Sequence, residues 1–266
     1  MTAALEAAGI SVSFGAVRAL QGVDLVVGAG KLVGLIGPNG AGKTTFVDAI
    51  TGFVQSSGSV HLQGQDISKL PPHRRAHLGL VRTWQTIELF DDLTVQENLA
   101  VAGGRPSLVS TVADVVFGRE PRAEQTAEEV LGLFDLQEVA SEMPSNLSQG
   151  RRKLVGIARA LAAGPSLLLL DEPAAGLDTQ ESGDLGRKLR RLVDNGLPTL
   201  LIDHDMGLVL GICDEIYVLD FGKVIAHGTP DEVRSNPDVL AAYLGKSGQA
   251  QAGARWAAVA EGTRER

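Results

Sequence analysis

The chain has 266 residues, 44% of them hydrophobic and 21% charged, an ordinary globular composition with material for one large α/β domain or two small ones. Its 24 basic and 32 acidic residues leave a net charge of −8, which excludes a chain-wide electrostatic footprint for nucleic acid, though not a local basic patch. The single cysteine, Cys213, excludes a disulfide framework and a thiolate zinc site and points to a reducing compartment.

In chain order, the first thirty residues and SGSVHLQGQDI (Ser57–Ile67) alternate apolar and polar residues between glycines, a pattern of short, half-exposed strands and turns. KLVGLIG (Lys31–Gly37), SLLLLDE (Ser166–Glu172) and PTLLIDHD (Pro198–Asp205) are continuously apolar and end in glycine or carboxylates. Such runs predict strands buried on both faces of a parallel sheet, with ligand-facing residues at their C-terminal ends. From about residue 85 to 163 strand signals vanish and TVQENLAVA, AEQTAEEVLGLFDL and NLSQGRRKLVGIARAL favour helices, which predicts a helical subdomain inserted into the sheet domain. EIYVLDFGKVIAHG reads as two β runs about a turn at Phe221–Gly222, followed by the helical TPDEVRSNPDVLAAYLG. The expected organisation is one domain over residues 1–245 and a flexible tail over 246–266, where Trp256 is a candidate anchor for a short helix. No apolar run approaches the roughly eighteen residues that span a bilayer. The opening MTAALEAAGISVSF lacks the basic start and long apolar core of a signal peptide. A role at a membrane would therefore go through partners.

The strongest chemical signal is GPNGAGKTT, with Gly37, Pro38, Asn39, Gly40, Ala41, Gly42, Lys43, Thr44 and Thr45 lying between an apolar strand and a helical run. This is a phosphate-binding loop in the context the motif requires. Its glycines let successive N–H groups face phosphate oxygens, Lys43 reaches the β- and γ-phosphates, and the Thr44 hydroxyl is a ligand for Mg²⁺. Downstream, the strand ending at Asp171–Glu172 predicts Asp171 at the metal and Glu172 as the base that polarises an attacking water. His204 closes another strand on the ligand side and reads either as structural or as a γ-phosphate contact. Gln85 opens the helical insertion. It is either a solvated surface residue or a sensor of nucleotide that moves the insertion. Phe14 reads either as core or as a stacking partner for adenine.

The stretch NLSQGRRKLVGIARAL poses a puzzle. Ser148 is a good N-cap for a helix whose face carries Leu154, Ile157, Ala158 and Leu161. Its first turn nevertheless holds Arg151, Arg152 and Lys153, at the end where the helix dipole favours negative charge. An anion is the expected partner there, while Arg152 and Lys153 either are solvated or face neighbouring elements.

The phosphate loop, Gln85, LSQGR, LLLLDE, AGLD (Ala175–Asp178) and His204 occur in the order seen in the nucleotide-binding subunits of ABC transporters, and the resemblance runs from about Ile10 to Gly245. It implies a P-loop NTPase domain of the ABC type, α/β in class, with a mainly parallel core sheet, an antiparallel β subdomain and an inserted helical subdomain. It implies ATP and Mg²⁺ as cofactors, with Glu172, His204 and Gln85 as catalytic residues and Thr44, Gln85 and Asp171 around the metal. Leu147, Ser148, Gln149, Gly150 and Arg151 correspond to the signature motif, which in this family binds the γ-phosphate held by the opposite subunit. Gln149 and Arg151 depart from the commonest L-S-G-G-Q form. Asp178 falls in the loop that contacts the partner across the dimer.

RTWQTIELFDDLTVQENLAVA and the long C-terminal stretch through NPDVLAAYLG resemble the ATP-binding subunits of bacterial branched-chain amino acid importers. That implies a second nucleotide-binding subunit (a homo- or heterodimer), transmembrane permease subunits, a periplasmic solute-binding protein acting indirectly, no nucleic acid, and a place at the cytoplasmic face of the inner membrane. Ile87, Leu89 and Phe90 are candidates either for the groove that receives permease helices or for core. Urea importers and lipopolysaccharide export share parts of the pattern and stand as alternative cargoes. A soluble ABC ATPase acting on ribosomes or DNA lacks support here, since the chain has one phosphate loop, one cysteine and no heptad run. A small-molecule kinase would give LSQGR and AGLD nothing to do.

Overall fold

Strands with alternating sequence and strands with continuously apolar sequence end up in different sheets. The computed structural model describes residues 3–84, 89–103 and 122–244. Gln85, Ile87 and the stretch 246–266 with Trp256 lie outside the described residues. The alternating segments form β1 (Ala3–Phe14), β2 (Val17–Gly28), β4 (Ser57–Leu62) and β5 (Gln65–Asp66), an antiparallel sheet in the order β2-β1-β4-β5. At twelve residues each, β1 and β2 are longer than the short strands expected. Their pairing shifts register at several points, and one ladder continues through glycines that read as turns.

The apolar runs form the centre of the second sheet. That sheet consists of β3 (Leu32–Ile36), β6 (Leu80–Arg82), β7 (Leu167–Asp171), β8 (Thr199–Ile202), β9 (Glu215–Asp220) and β10 (Lys223–Gly228), in the order β10-β9-β3-β8-β7-β6, with the apolar runs as β3, β7 and β8. Every pairing is parallel except the β9–β10 hairpin. The hairpin turns at Phe221 and Gly222, whose φ angles of 42° and 75° fit a two-residue loop with both central residues left-handed. In the register of β3, β8 and β7, Leu35 faces Ile202 and Ile202 faces Asp171. The three strands therefore release their following loops at one edge.

Burial on both faces is literal. Leu168 and Leu170 of β7 enter one apolar core with Leu201 and Ile36, while Leu167 and Leu169 enter a second with Leu200, Ile202, Val33 and Leu35. Each such side chain contributes about 1.5–3 kcal/mol through burial. The second core is completed by the antiparallel sheet and by Phe46, Val47 and Ile50 of α1 (Lys43–Thr51). The first is completed by α3 (Val95–Gly103), α4 (Arg122–Phe134) and α5 (Gln149–Ala162), which pack on one another through Leu99, Leu131, Phe134 and Val155. The remaining helices are α2 (Pro72–His77), α6 (Thr179–Asp194), α7 (Met206–Ile212), α8 (Pro230–Ser235) and α9 (Pro237–Leu244). β6 and α2 were not foreseen, because three and six residues are too few to express a period. Among the described residues no helix is long and apolar enough to cross a membrane.

Candidate nucleotide site

The loop from Gly37 to Gly42 curls around its own lysine. Gly37 leaves β3 with φ 152°, and a side chain there would run into the Leu219 carbonyl of β9. Gly42, at φ 107°, caps α1 and lies against the Ala19 carbonyl, which would be 2.9 Å from a Cβ. Lys43 Nζ donates to the Gly37 carbonyl at 2.7 Å and the Pro38 carbonyl at 3.2 Å. Burial pushes the Lys43 pKa down, and the charges of Glu172 and Asp171 oppose that shift, so all three groups share one electrostatic site. Thr44 is exposed and Thr45 half-buried at the positive end of α1. The first turn of α1 carries no acid that would compete with an anion.

Glu172 has a left-handed backbone, φ 50°, a conformation costing a non-glycine residue about 1–3 kcal/mol. The Glu172 N–H donates to the Ile202 carbonyl at 2.7 Å, which fixes the turn. The turn aims the side chain toward the loop after β8, where Glu172 Oε2 lies 3.9 Å from His204 Nδ1. Beneath them is Asp203, which the sequence reading passed over. Its fully buried carboxylate accepts from the N–H groups of His204 (2.7 Å) and Asp205 (2.9 Å) with one oxygen and of Ala174 (3.0 Å) with the other. Asp203 thus ties the loop that carries Glu172 to the loop that carries His204.

Asp171 is not alone at its strand end. Arg82, the last residue of β6, donates to Asp171 Oδ2 at 2.7 Å and to Asp48 Oδ1 of α1 at 2.5 Å. No sequence reading singled out Arg82. A charged residue closing a short apolar run was the available signal.

The structure places the signature residues apart from this cluster. Ser148 caps α5, its hydroxyl accepting from the Arg151 N–H at 3.3 Å. Gly150 abuts α6, and a Cβ there would be 2.8 Å from Glu181 Oε1. Asp178 caps α6 in a capping box with Glu181. Ser148 and Gln149 are exposed, and among the described residues no hydrogen bond or ion pair joins residues 147–151 to the phosphate loop. The first-turn cations resolve differently from one another. Arg151 is exposed, Arg152 pairs with Asp91 at 3.4 Å, and Lys153 is buried, donating to the carbonyls of Glu172 and Ala175. Phe14, at the end of β1, is 54% exposed and so is not a core residue.

The family model for ABC transporters matches residues 20–175. The chain belongs to the ATP-binding subunits of ABC transporters. A second family model, branched-chain amino acid ATP-binding cassette transporter, matches residues 223–248. The high-affinity branched-chain amino acid transport ATP-binding protein BraF of Pseudomonas aeruginosa is 41% identical, over 91% of this chain and 98% of its own length. The lipopolysaccharide export system ATP-binding protein LptB of Escherichia coli K12 is 39% identical, over 92% of this chain and 98% of its own. The crystal structure of a nucleotide-free ATP-binding cassette from an ABC transporter is 33% identical, superposes with a TM-score of 0.80, and covers 92% of this chain and all of that one.

As an ABC ATPase, the chain also has a cavity of about 240 Å³ between β6, α5 and the end of β7. Arg82, Trp84, Leu89, Ile157, Arg159 and Pro173 line it together with Lys153, Asp171 and Glu172, so it reaches the carboxylate end of β7, although no residue of the phosphate loop lines it. Leu89 is buried and belongs to the apolar core while also lining this cavity. Phe90 is 47% exposed beside it, with the Arg159 guanidinium 5.4 Å above its ring. Core packing therefore describes Leu89 and not Phe90.

Proposed function

We propose that this ATPase drives import of branched-chain amino acids. It would work as one of a pair of nucleotide-binding subunits held by permease subunits at the cytoplasmic face of the inner membrane, with a periplasmic binding protein delivering the solute. The observation that carries the cargo assignment is the match of residues 223–248 to the branched-chain amino acid cassette family. Overall identity does not separate the cargoes, because relatives named for branched-chain amino acid transport and for lipopolysaccharide export stand at 41% and 39%.

The residue roles follow from the convergence of Lys43, Asp171, Glu172 and His204 at one sheet edge. The N–H groups from Gly37 to Thr45 and the Lys43 ammonium hold the triphosphate. Mg²⁺ arrives with ATP as part of the substrate and neutralises charge between the phosphates. Thr44 and Asp171 offer the hard oxygen donors it takes, and Gln85 is the third candidate. Among the described residues no group of three or more His, Cys, Asp or Glu side chains forms a metal cage, which suits an ion that keeps its waters and comes with phosphates. Glu172 takes the proton of the attacking water, and His204 contacts the γ-phosphate from the facing loop. Phe14 stacks on the adenine. Ser148, Gly150 and the first N–H groups of α5 meet the γ-phosphate held by the other subunit, with Asp178 at the same interface. The cavity beside Trp84 and the exposed Phe90 receive the permease.

The test is ATP hydrolysis by the complex purified from membranes and reconstituted with its binding protein. Leucine, isoleucine or valine on the binding protein should stimulate turnover. Stimulation confined to urea, or to lipopolysaccharide in the membrane, would overturn the cargo assignment and leave the ATPase assignment standing.

A further inference from the structure

We propose that Arg82 is a positioning residue for the Asp171 carboxylate, a guanidinium fork that fixes which oxygen of Asp171 faces the metal of the bound nucleotide. The inference rests on the reading that Asp171 faces that metal.

Three elements meet in the fork. Asp48 comes from α1, the helix that begins in the phosphate loop, Arg82 ends β6, and Asp171 ends β7. The side chains of Arg82 and Asp171 are 6% and 7% exposed, so neither charge is satisfied by water. One guanidinium nitrogen takes Asp48 Oδ1 and the other takes Asp171 Oδ2. Among the described residues no hydrogen bond reaches Asp171 Oδ1. With Oδ2 occupied by a rigid planar donor, the carboxylate cannot rotate freely, and Oδ1 is the oxygen left to turn outward.

The fork is braced on its open face. The guanidinium lies 4.3 Å from the centroid of the Trp84 ring, and Phe53, just beyond α1, meets that ring edge-on at 5.1 Å and 79°. Arg82 Nε is buried with no hydrogen-bond partner. A side chain held only to satisfy its own donors would not leave one unpaired, whereas a plane dictated by two carboxylates and an indole can. Lysine offers a single ammonium on a flexible stem and cannot reproduce that plane.

The experiment is calorimetric titration of ADP into the full chain, in Mg²⁺ and again in EDTA, for wild type, Arg82→Gln and Arg82→Lys. The readout is the gain in ADP affinity that Mg²⁺ confers, with thermal unfolding recorded for each variant. Residues that orient a metal ligand typically contribute about 10–100-fold in metal affinity. Arg82→Gln should accordingly cut the Mg²⁺-dependent gain by about tenfold or more. ADP affinity in EDTA should stay within about twofold, because the phosphate loop's own donors are untouched. Arg82→Lys keeps the charge and should still lose part of the gain, at least about threefold. Should Arg82→Gln not fold, Arg82→Lys carries the test.

A gain unchanged in the variants would assign Arg82 a structural role only and overturn the inference. A larger gain would make Arg82 a competitor of the metal and overturn it equally. Full rescue by lysine would show that charge suffices and the fork does not matter. A wild-type chain whose ADP affinity ignores Mg²⁺ would overturn the underlying reading of Asp171 and this inference with it.

Discussion

Two helix starts in this chain present a positive end with cations nearby, and they solve the problem in opposite ways. At α1 the cap is Gly42, the loop before it is folded back, and Lys43 reaches over that loop to the carbonyls of Gly37 and Pro38. Asp171, Glu172 and His204 arrive from neighbouring strands, so this half holds carboxylates, an imidazole and the Lys43 ammonium. At α5 the cap is Ser148, and the two cations with partners are drawn away from the helix end, Arg152 to Asp91 and Lys153 to the loop after β7. What is left at the second start is an exposed Ser148 that accepts from the Arg151 N–H and an exposed Arg151, with the Glu181 carboxylate of α6 against Gly150. The lesson is that the oddly charged first turn of α5 serves two purposes. Lys153 braces the Glu172–Ala175 loop of its own chain, and Ser148 and Arg151 stay exposed, where the proposed function has Ser148 meet the nucleotide of the other subunit.

That division can be broken from either side. Glu172→Gln should keep ATP binding while steady-state turnover falls by about 10²–10⁴-fold. Hydrolysis at the wild-type rate would remove Glu172 from the base role. Lys43→Ala should weaken ATP binding by about a hundredfold in calorimetry, since it deletes a charge-assisted contact worth about 1.5–3 kcal/mol and relaxes the loop around it. Ser148→Arg acts on the other half alone. ATP-dependent dimers of the Glu172→Gln background should weaken by about tenfold or more in sedimentation, with monomer binding of ATP retained. Dimers of unaltered affinity would dissociate Ser148 from the partner's phosphate. Lys153→Met should lower the unfolding free energy in urea by about 1–3 kcal/mol, because two carbonyls lose their donor. The smallest effect belongs to Asp178→Ala, about 1 kcal/mol for a lost cap, unless dimers form. In that case, a dimer defect beyond the cap's share would locate Asp178 at the interface.

Much of the framework was legible because strand burial writes itself along the chain. Leu167 to Leu170 alternate between two cores, and only a continuously apolar run can do that. The Phe221–Gly222 turn was equally plain, its glycine marking the left-handed position. Arg82 and Asp203 were not legible. A single charge at the end of a strand looks like the first residue of a turn, and its partners, Asp48 and Asp171 in one case and the Ala174 N–H in the other, lie 29 to 89 residues away. The direction taken by Lys153 was hidden for the same reason. Its sequence position marked it as misplaced, but the carbonyls that receive it belong to a loop ordered by Asp203. Sequence periodicity reports which face a residue occupies and is silent about which distant polar group it meets there.

With Glu172 as the proposed base, the backbone there sets thermal endurance against catalysis. At φ 50° the position suits glycine, and a carboxylate-bearing side chain holds it only because the turn is clamped from both sides, by the Ile202 carbonyl and by the Lys153 bond to the Glu172 carbonyl. Directed evolution for heat tolerance alone would drift toward glycine there and yield a hardier cassette that grips nucleotide but lacks the proposed base. Screens for robust variants of this ATPase should therefore score turnover at every round, because at this one residue endurance and activity pull in opposite directions.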